Sequence, residues 1–135
     1  MRRMSLPSTC AVLILTGGRL LAQSDDDHKG YMKTVVLANA SMQRNLIAKN
    51  GRGAAADAQR VETGFKGIEE FWQRRKAAHA VGFAKQARTA AAAVAKAATA
   101  GNLDAASAAA KTMAPSCAGC HTAHRAQGES GFTIK

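Results

Sequence analysis

Apolar residues recur along this chain at steps of three and four, the period of an α-helix that buries one face. From about Asp27 to Lys49 the stripe is Met32, Val35, Val36, Met42 and Leu46, with Asn39 on the same side. Asn50-Gly51-Arg52-Gly53 then interrupts it, a composition suited to left-handed backbone at a helix end. A second helix is expected from about Ala54, carrying Ala58, Val61, Phe65 and Ile68. Gly64 and Gly67 weaken its end, which places a break between Thr63 and Glu69. A third helix is expected from about Glu69 to Ala100, with Trp72, His79, Phe83, Ala87, Ala90, Val94 and Ala98 along its stripe. Gly101 ends it. Asn102 caps a fourth, which carries Leu103, Ala106, Ala110 and Met113.

Strand signal is weak: no stretch alternates with period two, and aromatic residues are only 4 % of the chain. The alanine-rich stretch from Thr89 to Lys111 combines high helix propensity with small side chains, so two helices can approach closely there. Four amphipathic helices with short connections predict an all-α fold, an up-down-up-down four-helix bundle. The 135 residues suit one domain.

The first 22 residues read differently. Arg2 and Arg3 precede the short apolar run Cys10-Ala-Val-Leu-Ile-Leu15, and "RLLA" ends in a small residue before the acidic "QSDDD". That layout is expected of a cleaved secretory signal peptide over 1–22, leaving a mature domain over 23–135. The apolar run is too short to span a bilayer. The formal net charge of the chain is +10. Without Arg2, Arg3 and Arg19, sixteen basic residues face nine acidic ones, a net charge of about +7. The basic residues are scattered and lack interleaved aromatics, so nucleic acid is not the expected partner. A solvated basic surface favours acidic proteins instead.

Cys117 and Cys120 remain beyond the leader, in "SCAGCHTAHR". A Cys-x-x-Cys pair alone admits several chemistries. Redox exchange of the thioredoxin kind wants a strand-to-helix junction, and the strands are not there. Structural zinc wants four ligands, and His121 and His124 crowd the turn that holds the cysteines. The histidine directly after the second cysteine favours a third chemistry, attachment of c-type haem. Two thiols about one helical turn apart can add to the two vinyl groups on one porphyrin edge, and the adjacent imidazole then ligates iron.

Haem attachment close to the C-terminus of an all-helical chain resembles the class II cytochromes c, cytochrome c prime and its low-spin relatives. The resemblance covers about Asp27 to Arg125 and is most specific in "CAGCHTAHR", with Arg125 four residues after His121. Trp72, expected early in the third helix, is a weaker match. His124 stands where the family usually has an aromatic residue, and the link between the second and third helices looks shorter than usual. The resemblance implies one haem c held by thioethers at Cys117 and Cys120, with iron ligated by His121. Arg125 would meet a haem propionate or pack near the imidazole, or else serve as a solvated charge at the helix end.

The sixth iron position separates an electron carrier from a gas binder. In such a bundle the start of the first helix lies beside the end of the fourth. Met32 then falls at nearly the level of His121, each about 7 Å from its helix end. Low-spin family members place a methionine ligand early in the first helix, and "YMK" is similar to that pattern. His79 is the rival, on the stripe of the third helix. Met113 is expected on the porphyrin edge. With Met32 bound, the chain is expected to be a periplasmic electron-transfer protein with acidic redox partners. With the position vacant and Val36 or Leu37 crowding it, the chain would bind nitric oxide or carbon monoxide as a scavenger or sensor. No general acid/base pair marks an enzyme, and assembly as a homodimer is compatible with either reading.

Overall fold

The computed structural model describes residues 23–129 and 131–135, so the expected signal peptide lies outside the described residues. Four helices dominate: α1 over Asp25–Ile47, α2 over Gly51–Arg74, α3 over Ala78–Thr99 and α4 over Leu103–His124. Two short strands follow, β1 over Arg125–Gly128 and β2 over Gly131–Ile134. They pair antiparallel, Arg125 opposite Ile134 and Gly128 opposite Gly131. The architecture is that of a helical bundle with a small hairpin at its C-terminal end.

Side-chain caps set three of the four helix starts. Ser24 accepts from the Asp27 amide, and the Asp27 carboxylate accepts from the Ser24 amide in return, a capping box. These bonds hold the Asp27 carboxyl below the usual carboxylate range. Asn50 caps α2 through Gly53, and Asn102 caps α4 through Ala105. The second helix therefore starts three residues before Ala54, and the left-handed residue between α1 and α2 is Lys49, with φ 58°.

The break expected between Thr63 and Glu69 does not occur. One helix runs through both glycines, because they are where α1 comes close. A Cβ on Gly64 would stand 2.6 Å from Val35 Cγ2, and one on Gly67 would stand 2.6 Å from the Tyr31 ring. The chain turns instead at Lys76, in left-handed conformation at φ 56°, where the amide of Ala77 donates back to the Trp72 carbonyl. Trp72 consequently lies near the end of α2, not early in α3.

Consecutive helices pack along their length: α1 on α2, α2 on α3, α3 on α4. Between α1 and α4 there is little direct contact. The core is filled from α2 by Val61, Phe65, Ile68, Phe71 and Trp72, against a face of α3 that is almost entirely alanine. Met42 and Met113 are buried in it; Met113 is core packing and does not face the cavity described below. Polar ties join the helices. Asn45 donates to the buried Asp57 carboxylate at 2.9 Å, and Arg88 donates to Glu69 at 2.8 Å. Arg75 pairs with Asp25 across the α2 and α1 ends. Among the described residues no helix is long and apolar enough to cross a membrane.

Candidate functional site

Where α1 and α4 stand apart, a cavity of about 370 Å³ opens. The last two turns of α4 form one wall, presenting Cys117, Cys120, His121 and His124. The first turns of α1 form another, with His28, Met32, Val36 and Leu37. Phe65, Ile68 and Trp72 of α2 close the floor, and Phe83 of α3 and Ile134 of β2 complete the lining. Apolar atoms dominate it. Charges are confined to Lys29, Lys33 and Arg125.

The two cysteines carry free, half-buried thiols. Burial pushes both thiols above the ordinary cysteine range, and the neighbouring Cys117 adds to the effect at Cys120. They are thus protonated at neutral pH and are poor nucleophiles for disulfide exchange. Burial and then the Arg125 charge push the His121 imidazole below its ordinary value, so its lone pair is free for a metal at neutral pH. His28 is lowered to about 4, chiefly by burial, with Arg75 and His121 adding and Asp25 opposing.

Rings gather at the end of the cavity. His28 lies 4.6 Å from Phe71 and 5.5 Å from Trp72, and Trp72 lies 5.0 Å from His124. His124 in turn lies 5.7 Å from His79. The start of α1, the end of α2, the start of α3 and the end of α4 therefore meet here.

The structure brings Cys117, Cys120, His121, Arg125 and Met32 into this one cavity. His79 is left out of it. It is the second residue of α3, exposed to solvent, because α3 begins about nine residues later than the period implied. The core stripe of α3 runs instead through Ala80, Ala84, Ala87 and Ala91. Arg125 is not on a further helical turn. It is extended at φ −118° and ψ 134°, its amide donates to the His121 carbonyl, and its guanidinium lies 3.0 Å from the centre of the Phe132 ring. The hairpin that carries Phe132, Thr133 and Ile134 to the cavity had no period to announce it, only Gly128 and Gly131 near its turn. Lys135 ties it down, donating from its amide to His124 and from its amine to Thr122.

Among the described residues no three His, Cys, Asp or Glu side chains converge on a bare metal ion. The arrangement instead offers two thiols and the imidazoles of His28, His121 and His124 at the wall of an apolar slot. A planar cofactor that brings its own metal donors fits this set. Two side-chain nitrogens of lining residues, Trp72 Nε1 and His124 Nε2, are covered by the protein and have no hydrogen-bond partner in it.

Compared with protein-family models, curated proteins and solved structures, the chain has no significant match.

Proposed function

We propose that the chain is a periplasmic monohaem c-type cytochrome of the class II kind, carrying electrons between proteins. The observation that supports this best is the shared cavity: the Cys-x-x-Cys-His residues line an apolar hollow together with a methionine from the opposite helix. When bound, haem supplies a one-electron ferric/ferrous couple. Cys117 and Cys120 would hold it by thioethers formed when each S–H adds across a vinyl double bond. His121 would give its imidazole lone pair to the iron from the α4 side, and Met32 its thioether from the α1 side. Phe65 and Ile68, both buried, would keep water from the haem on the α2 side, which keeps the reorganisation on electron transfer small.

The meeting of alternate helix ends around Trp72 supports an up-down-up-down course for the bundle. A leader over 1–22 accounts for export and for two free cysteines reserved to one purpose. The mature charge of about +7 favours acidic redox partners, and a homodimer is compatible with it. No substrate chemistry is assigned to the cavity, and the protein is not read as an enzyme.

A second reading has its own observation. Val36 and Leu37 line the same cavity beside Met32. Were they, and not the thioether, to face the iron, the vacant position would take nitric oxide or carbon monoxide.

Acid–acetone extraction of protein matured in a host competent for c-type assembly tests the main reading. Haem should stay with the protein. Cys117→Ala and Cys120→Ala should each weaken attachment, and the double variant should abolish it. Wild-type protein that matures without haem, or with zinc in its place, overturns the proposal.

A further inference from the structure

The hairpin after α4 turns one apolar face inward. Arg125 pairs with Ile134 and Gln127 with Phe132. Side chains alternate along a strand, so Arg125, Phe132 and Ile134 share a face. Ile134 packs against the hydrophobic core, and all three residues line the cavity. Phe132 is nevertheless 55 % exposed. A phenyl ring on the inward face stays that open because it stands over the hollow and not over packed side chains. The guanidinium of Arg125, 3.0 Å from the ring centre, takes one part of its surface and leaves the rest uncovered.

The hairpin is tied to the same end of α4 that carries His121. Lys135 donates from its amide to the His124 carbonyl at 3.0 Å and from its amine to the Thr122 carbonyl at 3.2 Å. These bonds hold Phe132 in register with the last turn of α4. Val36 and Leu37 of α1 are also exposed while lining this cavity. Among the large hydrophobic side chains exposed in the described residues, only Ile47 lies away from it. Such a gathering of uncovered apolar surface marks a place where another molecule sits. We propose that Phe132 is a haem-binding residue, its free ring surface packed against a porphyrin held by Cys117, Cys120 and His121, where it shields that edge from water. This rests on the cytochrome reading. It extends the site into a hairpin that lies beyond the stretch resembling the class II cytochromes c.

Proton NMR of the reduced, diamagnetic holoprotein (with carbon monoxide added if needed) tests the contact directly. The Phe132 ring signals are identified as those lost in Phe132→Leu. They should be displaced by the porphyrin ring current and show nuclear Overhauser contacts to haem protons. Water near the iron favours the ferric charge, and the apolar shell around a haem sets its potential. Phe132→Ala should therefore lower the reduction potential, whereas Phe132→Leu, which keeps apolar bulk, should stay close to wild type. Ile47→Ala removes an equally exposed side chain far from the cavity and should leave the potential unchanged. Phe132 signals at ordinary positions without haem contacts, in protein with haem covalently attached, overturn the packing and leave the ring as a surface contact for a partner. A potential in Phe132→Ala equal to wild type overturns the shielding. Absence of haem from wild type would instead overturn the reading beneath both.

Discussion

Phe83 of α3 lies over the backbone of Gly119 so closely that a Cβ there would stand 2.5 Å from the ring. Gly119 is the residue before Cys120, so one of the two spacers in the Cys-x-x-Cys pair is fixed by a neighbour in the fold. Gly119→Val should destabilise the protein by about 1–3 kcal/mol through overpacking. Gly119→Ala should cost less, since alanine regains up to about 1 kcal/mol of helix propensity. In a Phe83→Ala background the penalty of Gly119→Val should largely vanish in a denaturation cycle. Equal penalties in both backgrounds would mean that Phe83 moves aside freely.

On the proposed cytochrome reading, Met32 would decide the type of haem site. With its thioether on the iron, ferric protein should show a weak sulfur-to-iron band near roughly 700 nm, and ferrous protein should resist carbon monoxide. Met32→Ala should remove the band, convert the iron to a high-spin form, admit carbon monoxide and lower the potential, because a soft thioether favours ferrous iron. A wild-type protein already high-spin and open to carbon monoxide would hand the assignment to the gas-binding reading. His79, exposed at the start of α3, should be silent: His79→Ala should leave the spin state unchanged.

Charge steering gives a prediction at longer range. Electron transfer to an acidic protein should slow markedly as ionic strength rises from low values to about 0.15 M. Rates indifferent to salt would leave the basic surface with a solubility role alone.

Cofactor removal should be costly. A dry void of about 370 Å³ would carry a penalty of roughly 9 kcal/mol at about 24 cal/mol per Å³. Access of water lowers that figure, yet a fraction of it competes with the 5–15 kcal/mol that typically holds a domain together. The cysteine-free double variant should therefore melt well below the haem-bearing protein and show weaker near-ultraviolet dichroism. Equal melting temperatures would count against the cavity as a binding site.

Helical period located four helices because each buries a single continuous face, and Asn50, Gly101 and Asn102 punctuate them with recognisable chemistry. The same logic failed at Gly64 and Gly67. Glycine there serves a close crossing with Val35 and Tyr31, a tertiary demand that looks locally like a helix end. The stripe Val61, Phe65, Ile68, Trp72 runs through both glycines unbroken and carried the correct answer. At Lys76 the opposite holds, since a left-handed lysine leaves no mark in sequence. Moving that boundary is what displaced His79 from the core. Spacing and level singled out Cys117, Cys120, His121 and Met32, and the structure places these four in the lining of one cavity. The pairing of Trp72 with His124 was not legible, for it joins the ends of two helices whose relative placement only packing determines.

The open side between α1 and α4 bears on how the molecule comes together. Every well-packed seam joins neighbours in the chain across a connection of three residues, as from Ile47 to Gly51. Closing such short loops costs little entropy, and folds built from sequence-local encounters reach their native topology in microseconds to milliseconds. The one seam that would bring distant parts of the chain together is the one left nearly unmade. The polypeptide can thus complete its fast steps and still present an unsealed edge between α1 and α4, beside the half-buried thiols of Cys117 and Cys120.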